Sequence, residues 1–395
     1  MRHLIIKVRQ NAHYLASIVL FAVCFPVYRA VHLPFSVDWS RLIPLYWVSL
    51  GLHSVFAAVL LALIGLPASA TVKPVWQHFA RQKARLLIFG PFVVWAFWRF
   101  GIYAAMIWIS VAVVSTELYD RHHGDLWAIT TWISPAILPA IYFFLGLILV
   151  FAYDDAIAAL KDPSAYDWVF LRMDSYLLHG RSISDFVRQA SSSLSPRVFA
   201  LAETVYYRMF DQMGAAILLV SVCQGLKRGL RLVGSMLSAY YISLLVFYLW
   251  PSMGPFYTSP DHFTYFPHWL QTYQFQQNLI ANAKVLSGPL KGLVRISANS
   301  FFAFPSLHIA LPLVVLWFMR PWKRIFYALA AYDVVLVPAI LLLEWHYVVD
   351  LVGGVIVAAI ALLINEFPQS LNAGRRILLR EKSAQIEQPD SVCVD

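Results

Sequence analysis

The chain has 395 residues, of which 60% are hydrophobic, 15% aromatic and only 13% charged, with a mean hydropathy of +0.65. Soluble domains carry roughly 45–50% apolar and about 25% charged residues, so this composition excludes a soluble, a disordered and a fibrous protein and leaves an integral membrane protein. The formal net charge of +9 is read as loop charge that holds orientation, because no basic stripe is interleaved with stacking aromatics as a nucleic-acid surface would require.

A spanning helix needs about 20 mostly apolar residues. Such runs occur at Tyr14–Val31, Leu42–Leu66, Leu86–Val114, Leu126–Phe151, Leu201–Gln224, Leu232–Trp250, Ser306–Met319, Ile325–Trp345 and Val348–Phe367. They are continuous rather than alternating, which predicts an all-α polytopic transmembrane bundle of eight or nine helices and not a strand barrel. The first run follows Arg2, Lys7 and Arg9. It is too long for the apolar region of a secretory signal and no small-residue cleavage site follows, so it is expected to stay as a span. Leu86–Val114 contains Gly90-Pro91, Arg99 and Gly101 and is a candidate broken or re-entrant segment.

Three basic clusters follow alternate spans: Lys227, Arg228 and Arg231; Arg320, Lys323 and Arg324; and Arg375, Arg376, Arg380 and Lys382. The positive-inside rule makes that side cytoplasmic. The segments around 251–305 and 344–348 then face outward, which suits a bacterial inner membrane with a periplasmic site, or the lumenal side of a eukaryotic membrane. Two long aromatic stretches, Asp154–Arg197 and Pro251–Asn299, fall on that outward side. Connections this long are usually functional, and interfacial helices roofing a site are expected there. The three cysteines, Cys24, Cys223 and Cys393, match no zinc or redox spacing. Neither a metal nor another cofactor is expected.

Two outward span openings carry the chemistry. One reads Ser300-Phe-Phe-Ala-Phe-Pro305-Ser306-Leu-His308 and the other Glu344-Trp345-His346-Tyr-Val-Val-Asp350-Leu-Val-Gly353-Gly354. Ionisable residues at such positions are functional candidates. His346 and Asp350 are spaced i, i+4, on one face of a helix, where the carboxylate can hold the imidazole tautomer. Pro305 suits the first position of a helix. Ser306 and the first-turn N–H groups of both helices would cradle an anion. Two helix openings with two histidines and one carboxylate outline a phosphoryl-transfer site. One histidine would attack phosphorus and the other would protonate the leaving oxygen.

These segments resemble those of the type 2 phosphatidic acid phosphatase superfamily, and within it the inositol phosphorylceramide synthase-like branch. The likeness covers roughly 126–366. Phe304-Pro-Ser-Leu-His308 is similar to the branch's Phe-Pro-Ser-Leu-His. His346-Tyr-Val-Val-Asp350-Leu-Val-Gly-Gly is similar to its His-Tyr-x-x-Asp-Leu-x-x-Gly. Tyr248-Leu-Trp-Pro-Ser-Met-Gly-Pro-Phe-Tyr257 is similar to its Tyr-x-x-Pro-x-x-Pro-Pro-Trp, with Gly254 and Phe256 departing from it. Weaker support comes from Asp174-Ser-Tyr-Leu-Leu-His-Gly180 and Tyr206-Tyr207.

The resemblance implies a six-helix catalytic core at 126–367, an N-terminal accessory membrane region at 1–125 and a cytoplasmic tail at 368–395. It implies His346 as nucleophile, Asp350 as its orienting partner and His308 as acid and then base, with no metal. It also implies a phospholipid donor, a hydroxyl-bearing lipid or polyol acceptor and a phosphohistidine intermediate. With water as acceptor the same residues would make a lipid phosphate phosphatase.

The classical superfamily signature carries cations that this chain lacks: the region of Trp250–Phe256 has no Lys or Arg, and Ile340 stands where an Arg precedes the nucleophile. Lys284, Lys291 and Arg295 are the nearest outward-side cations in sequence, and Arg295 is the preferred replacement. Asn299, Ser300, Ser306 and Glu344 are the further candidates for substrate binding.

Overall fold

The computed structural model describes residues 12–33, 126–259, 261–289 and 301–366. The expected spans Leu42–Leu66 and Leu86–Val114, the tail and the candidates Arg295, Asn299 and Ser300 lie outside the described residues. The remainder is helical, and no strand occurs among the described residues.

In chain order the helices are α1 (Ala12–Ala30), α2 (Leu126–Leu160), α3 (Asp167–Leu177), α4 (Ile183–Ser193), α5 (Pro196–Gln224), α6 (Leu226–Leu249), α7 (Pro255–Thr258), α8 (His262–Tyr265), α9 (Gln271–Ser287), α10 (Leu307–Met319), α11 (Lys323–Leu342) and α12 (Val348–Asn365). Among the described residues, α2, α6, α11 and α12 contain stretches long and apolar enough to cross a membrane. Helix α5 has 29 residues and at 1.5 Å per residue runs roughly 43 Å. Its middle carries the polar residues Arg208, Asp211 and Gln212, which pair within the helix and with the neighbouring α11. Arg208 pairs with Asp211 at 2.9 Å, and Gln212 Nε2 donates to Asp333 Oδ2 at 3.4 Å.

Helix α6 sits at the centre, packed on α1, α2, α5, α10 and α12, while α10 is enclosed by α5, α6, α11 and α12. One continuous core of Phe143, Met209, Met236, Phe247, Val314 and Phe318 fills the space between them. Helix α1 docks beside α2 through a smaller cluster with Cys24, Tyr28, Leu149 and Ala152. The sequence expectation ended the second of these helices at Phe151. It continues to Leu160 because Asp154 and Asp155 are buried within the bundle, where each has an interaction partner.

The two ends of the bundle differ. At one end α6 begins, α10 ends and α12 ends. There Arg228 pairs with Glu366 at 2.6 Å and lies over the Phe318 ring, and Trp317 Nε1 donates to Glu366. This gathers two of the predicted basic clusters on one side. The opposite end carries the openings of α10 and α12, roofed by α3, α4 and α7–α9. Asp174 on α3 accepts the backbone N–H groups of Val348 (2.9 Å) and Val349 (3.2 Å), so it caps α12 from a distant element. Asp167 accepts from Ser252 Oγ, Met253 N and Gly254 N at 2.6–3.0 Å. Gly254 has φ +104, and a Cβ there would lie 2.7 Å from the Trp345 carbonyl oxygen. Only glycine permits both that backbone and that approach.

Candidate active site

The site is built where three backbone segments cross. Ser306 N donates to Asp350 O at 3.1 Å, tying the start of α10 to the first turn of α12, and Ala303 N donates to Ser252 O at 2.8 Å. A Cβ at Gly354 would stand 2.4 Å from Ser306 O, so a bare glycine lets the two helix openings meet. Phe304 stacks on Phe170 of α3 at 4.6 Å, which closes the crossing from the roof side.

This crossing brings the predicted triad together. His308 Nδ1 and His346 Nε2 are 2.8 Å apart, and both residues are buried. His346 Nδ1 lies 2.9 Å from the Ala303 carbonyl oxygen and 3.3 Å from Asp350 Oδ2. A carbonyl only accepts, so His346 carries its proton on Nδ1 and its Nε2 lone pair faces His308. That is the tautomer a nitrogen nucleophile needs. Burial pushes the His346 imidazole down to about 3, despite the hydrogen bond to Ala303. It is therefore neutral at physiological pH.

The geometry alters three local expectations. His346 is not on a helix: α12 starts at Val348, and His346 sits in the turn before it. Its contact with Asp350 comes from that turn folding back, and the Ala303 carbonyl is the nearer partner. The N–H groups at the start of α12 do not face an anion site, because Asp174 takes those of Val348 and Val349 while Asp350 Oδ2 accepts Tyr347 N at 2.9 Å. Pro305 does not open α10. It precedes Ser306, which is the N-cap, and the Phe304–Pro305 bond is cis. The Ser306 hydroxyl makes no cap bond and has no partner. Among the described residues, the start of α10 thus keeps an unpartnered hydroxyl two positions before His308.

Glu344 is placed in a different network. Its residue has φ +54 and is fully buried. Oε2 is 2.8 Å from His262 Nδ1 and accepts from Ser184 Oγ at 3.3 Å, and Oε1 accepts from Tyr265 OH at 2.6 Å. Gln276 Nε2 donates to Leu343 O, which turns Gln276 Oε1 toward His262 Nε2 at 2.8 Å. Sequence reading missed His262, because it lies 82 positions from Glu344 in a short helix without apolar periodicity. It also missed the Ala303 carbonyl and the bracing by Asp167. Burial pushes the Asp167 carboxyl up to about 7 and that of Asp174 up to about 6, although each accepts hydrogen bonds that favour the charged form.

A ring of aromatics surrounds the two histidines. Tyr206 lies 4.8 Å from His308, Phe301 lies 5.8 Å from His346, and Trp345 stacks on Tyr206 at 5.3 Å. No Lys or Arg is buried among the described residues.

Residues 186–364 match the family model of the PAP2 superfamily. Its members are phosphatases or phosphotransferases, and this segment holds both histidines and Asp350. No curated protein and no solved structure matches the chain. The PAP2 match runs from within α4 to within α12, leaving α1–α3, and with them Asp167 and Asp174, outside it.

Proposed function

We propose that the protein is a membrane phosphotransferase that moves a phospho-headgroup from a phospholipid donor to a lipid or polyol hydroxyl through a phosphohistidine. His346 Nε2 attacks phosphorus, and the bond to the donor's alkoxide oxygen breaks. His308 delivers a proton to that oxygen. The anionic donor itself supplies the counter-charge that lets His308 carry two protons. In the second half His308 takes the proton of the acceptor hydroxyl, whose oxygen attacks phosphorus and releases His346. Asp350 and the Ala303 carbonyl together keep the proton on Nδ1 throughout, so Nε2 is always the reacting atom.

The observation that carries this reading is the 2.8 Å approach of His308 Nδ1 to His346 Nε2, with His346 Nδ1 anchored on its far side. The absence of buried cations among the described residues favours a singly charged phosphodiester over a phosphomonoester. The roof of α3, α4 and α7–α9 favours exclusion of water from the intermediate. A phosphatase acting on phosphatidic acid or a polyprenyl phosphate would use the same three residues with water as acceptor, and the PAP2 match supports both.

The test is transfer from a labelled phosphodiester lipid, with and without polyol or ceramide-like acceptors, by wild type and His346→Ala. Acceptor-dependent transfer that vanishes in the variant, with an acid-labile label trapped on wild type, is the expected result. Phosphate release from monoesters without acceptor dependence would make it a phosphatase. Turnover undiminished in His346→Ala would remove the nucleophile assignment.

A further inference from the structure

We propose that the indole N–H of Trp345 is a substrate-binding donor: it hydrogen-bonds a non-bridging phosphoryl oxygen during transfer and does part of the work that a cation does in other anion sites. The inference rests on the phosphotransfer reading above. Trp345 is fully buried, and its Nε1 has no acceptor. An indole nitrogen can only donate, and a buried donor left unmade costs folding free energy. Phenylalanine would fill a purely apolar wall without that cost.

The ring packs among Tyr206, Phe256, Phe275 and Phe301, and Trp345 immediately precedes His346 in the chain. It stacks on Tyr206 with an interplanar angle of 8° and lies 4.8 Å from Phe301. Those two rings are the ones that also flank His308, at 4.8 and 6.3 Å. Its main chain is held through its own N–H and through its two chain neighbours. Trp345 N donates to Ile340 O at 3.1 Å. The preceding residue is clamped through its carboxylate to His262, Ser184 and Tyr265, and the following one is His346. A donor carried on backbone held in this way has little freedom to lose when charge develops on phosphorus, which favours electrostatic stabilisation.

The second unpartnered donor beside the pair is the Ser306 hydroxyl on the α10 side. The two stand in the segments that lead into the two histidines, one before each. No Lys or Arg is buried among the described residues, and neutral donors of this kind are the groups there that could meet the anion.

The discriminating experiment compares Trp345→Phe with wild type, full length and in detergent, for transfer from a phosphodiester lipid, for inhibition by orthovanadate and for thermal unfolding. Removing one preorganised donor lowers kcat by about 10²-fold. The same change weakens vanadate inhibition, while the unfolding temperature stays equal or rises because an unpaired group has gone. Activity within about threefold of wild type would overturn the proposal and leave the N–H to a ring face such as Phe256 or Phe275. If Trp345→Phe also unfolds earlier, replacement of Trp345 by benzothienylalanine, which keeps the bicyclic shape and lacks the N–H, decides: low activity at wild-type stability supports the donor, and restored activity refutes it. Failure of the parent reading is separate and visible in the controls, because wild type itself would then show no His346-dependent transfer.

Discussion

Two buried histidine–carboxylate pairs meet the α11–α12 connection, one through Glu344 and one through His346, and they are finished to different degrees. In His262–Glu344 both ring nitrogens and both carboxylate oxygens have partners. In His346–Asp350 the carboxylate is 3.3 Å from the ring, Asp350 Oδ1 has no partner, and the neighbouring Ser306 Oγ and Trp345 Nε1 are also unpaired. Buried polar groups are ordinarily satisfied. The closed pair holds the turn, and the open one keeps unspent hydrogen-bonding capacity for a ligand. The difference teaches that similar histidine–carboxylate pairs are sorted by their leftover atoms rather than by their residue types.

The sharpest way to break this comparison is to make the same substitution in both pairs. On the proposed mechanism, His346→Asn should lower turnover by roughly 10⁴-fold or more while leaving the unfolding temperature near wild type, because it would remove the attacking group. His262→Asn should do the reverse: turnover per folded molecule within about tenfold of wild type, with a clear fall in thermal stability. Equal activity losses in the two variants would mean that the closed pair takes part in chemistry.

Asp350→Asn sharpens the same contrast at lower amplitude. In a triad whose aspartate alone fixes the tautomer, the amide costs about 10⁴-fold. Here the Ala303 carbonyl, at 2.9 Å, is the nearer partner of Nδ1. The expected loss in kcat is therefore only about 10²-fold, measured at saturating donor lipid. A full 10⁴-fold loss would show that Ala303 contributes little to orientation.

Glu344→Gln tests the closed pair through stability. Breaking one partner of a buried ionic or strongly hydrogen-bonded pair costs about 3–5 kcal/mol. The glutamine also turns an N–H₂ toward a donor, either Tyr265 OH or Ser184 Oγ. Unfolding in detergent, by heat or denaturant, should show the loss, while the specific activity of the surviving fold stays within about tenfold. A variant as stable as wild type would remove the clamp from the account of how His346 is held.

Much of this was legible in the sequence for one reason: a membrane span declares itself by length and hydropathy, and His308, His346 and Asp350 stand at span openings where ionisable residues are costly. The triad needed no knowledge of packing. What sequence could not supply was the direction of each polar atom. Val348 and Val349 look like free N-terminal donors until Asp174 is seen to reach them from 174 positions upstream. Glu344 looks like a binding residue beside His346 until His262, Tyr265 and Ser184 use up its oxygens. Asp154 and Asp155 look like the end of a span because charge alone says so. Their burial within α2 depends on α1 and its neighbours, which no local pattern encodes.

The smallest expected effect concerns the brace that lies outside the PAP2 match. Asp174→Asn keeps one good acceptor for the two N–H groups of α12, so the loss is that of a weakened helix cap, about 1 kcal/mol, with kcat reduced no more than a few-fold. Its pH dependence carries the information. The folded Asp174 carboxyl is raised to about 6, against about 3.9 in the unfolded chain. Between those values the folded state holds a proton that the unfolded state has lost. This group's contribution to stability is therefore complete below about pH 4 and falls away as the pH rises through 6. The asparagine variant lacks that titration, so the deficit relative to wild type should be largest near pH 4 and shrink toward pH 7. A deficit that instead grows with pH would mean that Asp174 caps α12 as a carboxylate, with the helix dipole and two N–H donors outweighing its burial.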